Sequence, residues 1–387
     1  MSLKTSMVGL ALRLAVAAER AVKGRQLAVV PEAVGSVLIL EYMLPLGCCV
    51  HLTPVFEAIR LGRPDISITV ATRGLGAVLL RHHPFIDNLI ETPDPLTDLR
   101  GTVRALSLGL AERGIVPDCV LTGASDKRTR IALVGVLAGK GWRGGFTLAP
   151  ELYERPLNAR DDLSLIDNNL RVAGLLGCET GHREPRVFFS PGDVARAEAM
   201  VREVNPEGRP LVVMVTQNSG GQRTGWHAER FACVIRHASE VLGCAVAYVG
   251  TKADSDAVKE LRVSAGNVGV SLTGRTSVTE LAALLAMSDY AISLDTGTMH
   301  VGRAAGVPMV VLAPSWQRPL EWLPLKIPQV RILRLMAVII ATSRQAYQQR
   351  VLGLPPVCGR DAAWIGEGRE AWHWEGYLLC VGGMRRG

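Results

Sequence analysis

The chain has 387 residues, of which 48% are apolar and 20% charged, with a formal net charge of +7. This is too long for one ordinary hydrophobic core and too apolar for a disordered chain, so two packed domains are expected. No run of about 18 apolar residues is unbroken, since Arg13 or Glu41 interrupts the longest candidates, and no membrane-spanning helix is expected.

Residues 7–24 read as an imperfect amphipathic helix in which Met7, Leu10, Leu14, Ala17 and Ala21 share a face. Arg13 breaks the apolar centre that a signal peptide needs. Two uses remain open: lying on a membrane surface or packing on the first domain. From residue 36 onward, short apolar runs alternate with helical stretches. Val37–Leu40, Ile66–Ala71, Asn88–Ile90 and Cys119–Leu121 read as buried parallel strands. Helices are expected near 53–61, 73–82, 99–113 and 127–138, which makes a doubly wound α/β domain. A long amphipathic helix over 161–177 ends at Gly177, and the polar, proline-bearing stretch after it reads as a linker. The pattern then repeats. Strands are expected at Leu211–Val215, Ala245–Gly250, Val268–Leu272, Tyr290–Leu294 and Met309–Leu312, with helices near 226–242, 253–264, 278–287 and 299–305.

Eight cysteines are scattered along the chain without a CxxC pair, which speaks against structural zinc and fits a reducing cytoplasm. Cys119, Cys233 and Cys244 lie in apolar runs and read as buried thiols. Basic residues collect near both ends (Lys4, Arg13, Lys23 and Arg25; Arg344, Arg350, Arg385 and Arg386). They favour an anionic partner or serve solubility alone.

The most informative stretch is 291–308, AISLDTGTMHVGRAAGVP. An apolar run ends in Asp295, a polar turn Thr296-Gly297-Thr298 follows, and a helix-like segment opens at Met299-His300. Such a strand–turn–helix directs free N–H groups and the positive end of a helix at one place, which suits a phosphate or diphosphate. The loop after the strand at 211–215, TQNSGGQRTGW from Thr216 to Trp226, is rich in glycine and small polar groups, and such backbone wraps an anion. No G-x-G-x-x-G follows the first strand, which disfavours a nicotinamide dehydrogenase.

The D-[TS]-G-x-x-H pattern with its following G-V-P resembles the signature of the heptosyltransferase-like glycosyltransferases of family 9. Similar segments occur at Ser36–Arg60, Pro64–Ala71, Asp167–Gly177, Gln222–Ala232 and Leu272–Ser288. The resemblance covers residues 36–325 and implies the GT-B architecture: two Rossmann-like doubly wound α/β domains facing across a central cleft. On that basis residues 1–35 are an N-terminal extension, 36–178 the acceptor domain, 179–190 a linker, 191–330 the nucleotide-sugar domain and 331–387 a tail. The implied activity is inverting transfer of a sugar, a heptose from ADP-heptose in the family, to a lipopolysaccharide-core or related glycolipid. No metal or other cofactor is implied, and no nucleic-acid partner. The implied location is the cytoplasm, with peripheral contact at the inner, anionic membrane face.

Residue by residue, the resemblance gives the turn at Thr296, Gly297, Thr298 and Met299 to the diphosphate. Thr298 has capping its helix as a second role. His300, one helical turn on, contacts phosphate or structures the loop. Thr216 joins the donor site, Arg223 is the charge clamp on the leaving group, Asp254 the ribose contact and Asp295 the donor-sugar contact, each with a structural alternative. One departure stands out. The family's first loop carries Gly-Asp, whose Asp is the presumed base, whereas this chain has Gly47-Cys48. A thiol is mostly protonated at neutral pH. His51, one turn further, and Glu41 are the replacements within reach. The departure also opens a second reading, a degenerate GT-B protein that binds nucleotide sugar or a partner without turnover.

Overall fold

The computed structural model describes residues 33–43, 45–139, 141–181, 183–217, 226–314 and 328–335, with the backbone of 364–365 and 371–372. The N-terminal helix expected over 7–24, Arg223 and most of the C-terminal tail lie outside the described residues.

In the first half, strands and helices alternate as β1 (Ser36–Leu40), α1 (Leu46–Gly62), β2 (Ser67–Thr72), α2 (Gly74–Leu80), β3 (Asn88–Glu91), α3 (Leu99–Glu112), β4 (Cys119–Thr122) and α4 (Thr129–Ala138). Two further strands, β5 (Trp142–Phe146) and β6 (Arg155–Leu157), complete a parallel sheet ordered β3-β2-β1-β4-β5-β6. α5 (Leu165–Gly174) and α6 (Pro191–Val204) lead into the second half: β7 (Leu211–Val215), α7 (Ala228–Glu240), β8 (Ala245–Tyr248), α8 (Ser255–Ser264), β9 (Val270–Ser271), α9 (Val278–Ala286), β10 (Tyr290–Leu294), α10 (Gly297–Ala304), β11 (Met309–Pro314) and β12 (Val330–Leu335). The second sheet is also parallel, ordered β12-β11-β10-β7-β8-β9. In each sheet the first and fourth strands are neighbours. The chain reverses winding between them, and a crevice at the carboxyl ends of the strands follows from that reversal.

The strands read as continuous apolar runs because helices cover both faces. Val37, Leu38, Ile39 and Leu40 of β1 are all fully buried, and β7 and β10 are nearly so.

Several elements differ from expectation. α1 begins at Leu46 rather than near 53, so Gly47, Cys48 and His51 sit on its first turns. Pro54 lies inside it and cannot donate to Val50 O. The Thr53 hydroxyl donates to that carbonyl instead (2.8 Å), so the helix continues through the proline. α5 is shorter than the 161–177 expected, because Ser164 caps it by accepting from Asp167 N. α6 has no counterpart among the expected helices, although Ser190-Pro191-Gly192-Asp193 carries its start signal. Ser190 and Asp193 form a reciprocal capping box with proline at the first helical position. Cys233 is exposed, on the outward side of α7, while its neighbour Ala232 is buried.

The two halves meet along α1 and α10, and along α2 and α9. The segment between them adds Arg186–Glu57 (3.4 Å) and Arg303–Glu184 (3.0 Å). Among the described residues, no helix is long and apolar enough to cross a membrane.

Candidate active site

The turn after β10 forms as its sequence dictates. β10 ends at Leu294, Asp295 is buried beside it, and Thr296 takes the extended conformation that starts α10. No side chain caps this helix, so Thr298 does not take the capping role. The first bonds run from Met299 N and His300 N back to Thr296 O (3.1 and 3.4 Å). The N–H groups of Gly297 and Thr298 therefore open the helix without a helical partner. Both residues are half-buried, whereas Met299 is fully buried and holds the turn to the core.

Two hydroxyls stand at this edge without partners. Thr296 Oγ1 and Thr216 Oγ1, the latter one residue past β7, are buried and make no hydrogen bond. β7 and β10 are adjacent strands, so both threonines leave the sheet at the point where its winding reverses. Thr216 also lines a cavity of about 250 Å³ with Gln217, Trp226, Phe231, Leu261 and Leu294. A buried hydroxyl left unsatisfied costs stability, so each of these two is suited to a water or ligand that completes it. Asp254 lies at the carboxyl side of β8, where its Oδ2 accepts from Thr251 N and Oγ1 (2.7 and 2.8 Å) in a capping box.

Across from the turn stands the start of α1. A Cβ on Gly297 would lie 3.0 Å from Leu46 Cβ. Two helix N-termini, one from each half, thus converge. His51 and His300 join there, Nε2 to Nδ1 at 3.0 Å with their rings edge to face. Both are buried, and burial pushes both imidazoles well below the usual histidine range, His300 to about 3. The Arg303 guanidinium adds to the effect in each. Both rings are therefore neutral near pH 7, one donating and the other accepting.

The position after Gly47 holds no base. Burial, aided by Glu41, pushes the Cys48 thiol up to about 12. Glu41 ends one residue past β1, buried, with Oε1 accepting from Met43 N (3.1 Å) and Oε2 unpartnered. Burial and then Asp126 raise its carboxyl to about 8. Asp126 itself is held by Arg128 through two hydrogen bonds (2.6 and 2.7 Å). Nothing in the local sequence signalled this acidic pair, because its members come from different strand ends. Among the described residues, no group of three or more His, Cys, Asp or Glu is placed to hold a metal.

A turn of this kind, at the switch point of the second of two doubly wound halves, is where open α/β folds place anionic ligands. The chain belongs to glycosyltransferase family 9 (heptosyltransferase), whose model matches residues 136–331; it is a glycosyltransferase of the GT-B architecture. Its fold is similar to that of a family 9 glycosyltransferase from Veillonella parvula (TM-score 0.68, 21% identity, 78% of this chain and 87% of the other). It is also similar to E. coli ADP-heptose LPS heptosyltransferase II (0.63, 18%, 78% and 91%). An E. coli heptosyltransferase solved with ADP-2-deoxy-2-fluoro heptose is similar as well (0.58, 16%, 77% and 92%). No curated protein matches the chain.

Proposed function

We propose that this glycosyltransferase moves a heptose from ADP-heptose, with inversion, onto a lipopolysaccharide-core or related glycolipid. The proposal includes a cytoplasmic site of action with peripheral contact at an anionic membrane face. The observation that carries it is the uncapped N-terminus of α10, flanked by the unpartnered hydroxyls of Thr296 and Thr216 and facing the first turn of α1.

In this reading the N–H groups of Gly297 and Thr298 and the helix dipole bind the diphosphate. They stabilise the charge that grows on it as the glycosidic bond breaks. Thr216 and Thr296 donate to its oxygens. Arg223, in the segment that follows β7 in sequence, is the proposed cationic clamp. Asp295 faces the donor sugar and Asp254 the ribose. The first half presents the acceptor hydroxyl, so pairing of the two halves supplies the alignment of reactants.

A second reading rests on Cys48. A buried thiol held near 12 cannot take the proton that a carboxylate takes in the family. In that reading the protein binds nucleotide sugar without turnover. Melting shifts with ADP-, UDP- and GDP-sugars identify the donor nucleotide, since a ligand of the folded state raises its stability. Release of nucleoside diphosphate in the presence of a glycolipid acceptor then separates the readings. Binding with product release supports the transferase, binding without release supports the second reading, and absence of both overturns the site.

A further inference from the structure

His51 is 2% and His300 5% exposed, and 249 residues separate them along the chain. His51 is fixed by its own half. The carbonyl of His51 accepts from Asn169 Nδ2 (3.0 Å), and Asn169 Oδ1 accepts from Ala124 N (2.7 Å), which ties α1 to α5 and to the loop after β4. His300 is on the first turn of α10. Its ring lies against the backbone of Gly47, so that a Cβ there would come within 2.4 Å of His300 Cδ2. One turn further along α10, Arg303 is buried, with Nη2 on Glu184 (3.0 Å) and Nε and Nη1 unpartnered. Burial, and after it the charge of Arg303, keeps the two imidazoles neutral, and the His–His bond is kept.

We infer that His51 is a positioning residue for the phosphate turn: through the bond to His300 Nδ1, the acceptor half sets the orientation in which α10 presents its first N–H groups to the donor. The inference rests on the nucleotide-sugar reading above and deepens it. A hydrogen-bonded ring wedged between two helices fixes distance and rotation together, and sub-ångström placement of an oxyanion site is what catalysis by backbone amides requires. Through this bond His51 acts on the donor site by way of His300.

The test uses the full chain with ADP-heptose as donor, ADP as binding probe and a glycolipid acceptor. His51→Leu removes the donor and acceptor atoms at similar volume. It is expected to weaken ADP binding and raise the donor KM about tenfold, with the acceptor KM unchanged. His51→Gln carries an amide nitrogen near the Nε2 position and is expected to return most of the loss. The double variant His51→Leu/His300→Leu is expected to be no worse than His51→Leu, because one bond is removed in both. The inference is overturned if His51→Leu binds ADP like the wild type. It is equally overturned if the two losses multiply, or if kcat alone falls with loss of the acidic limb of its pH profile, which would make His51 the base. If His51→Leu does not fold, His51→Gln against His51→Asn decides: the shorter amide is expected to behave as the loss, and equal behaviour sinks the idea. A wild type that fails to bind ADP refutes the donor-site reading and this inference together. Binding retained in both wild type and His51→Leu refutes this inference alone.

Discussion

Gly47 and His300 approach so closely that the first residue has no room for a side chain: a Cβ on Gly47 would meet His300 Cδ2 at 2.4 Å and Nε2 at 3.0 Å. The contact joins the first turn of α1 to the first turn of α10, so it sets how near the two halves come. Gly47→Ala is expected to force them apart and to cost about 1–3 kcal/mol, the usual penalty of overpacking. Gly297→Ala, whose Cβ would lie 3.0 Å from that of Leu46, is expected to cost less. Denaturant unfolding measures both. The order reverses if the α1 start moves freely.

Thr216→Val and Thr296→Val remove the two unpartnered hydroxyls at constant shape. Each is expected to leave stability unchanged or raise it by about 1 kcal/mol, since an unsatisfied buried polar group is lost. Each is also expected to weaken donor binding about tenfold or more, as hydrogen bonds to charged groups do when deleted. Calorimetric titration with ADP and thermal melts read the two effects on the same samples. A stability loss with donor affinity intact would mean that the hydroxyls serve the fold.

Glu41 contributes a slope at neutral pH. Its carboxyl ionises near 4.5 in the unfolded chain and near 8 in the folded protein. Its stabilisation is therefore complete below 4.5 and is lost as pH rises to 8, at about 1.4 kcal/mol per unit. Glu41→Gln is expected to flatten that slope and to stabilise the protein at pH 7.5 by up to about 4 kcal/mol. Urea midpoints between pH 5 and 8 check this, and parallel curves for the two proteins would refute it.

His83 gives the opposite sign in acid. It is buried among the rings of Phe56, Phe85 and Phe188, and burial lowers it from 6.5 to about 4. The unfolded chain takes up its proton first, so stability falls as pH drops from 6.5 to 4, at about 1.4 kcal/mol per unit. His83→Phe is expected to remove that share of the acid slope without changing transferase kinetics. Urea unfolding at pH 7 and pH 5 gives the comparison. An unchanged difference between the two pH values would place the acid sensitivity elsewhere.

The sequence by itself determined what local physics controls. Short β-branched apolar runs such as Val37–Leu40 and Leu211–Val215 read as strands covered on both faces, and their alternation with helices gives two doubly wound halves. Asp295-Thr296-Gly297 after an apolar run can only be a strand leaving its sheet through a tight turn. Elements with a faint signal went unread: β5 is WRGGF, without a β-branched residue and with two glycines, and β6 is three residues long. Tertiary structure alone decided the rest. That His51 bonds His300, that Gly47 must lack a side chain, and that Glu41 holds its proton near Asp126 all depend on residues far apart in sequence meeting in a space without water. Contact distance and dielectric are properties of the packed interior, and neither is written in any one segment of the chain.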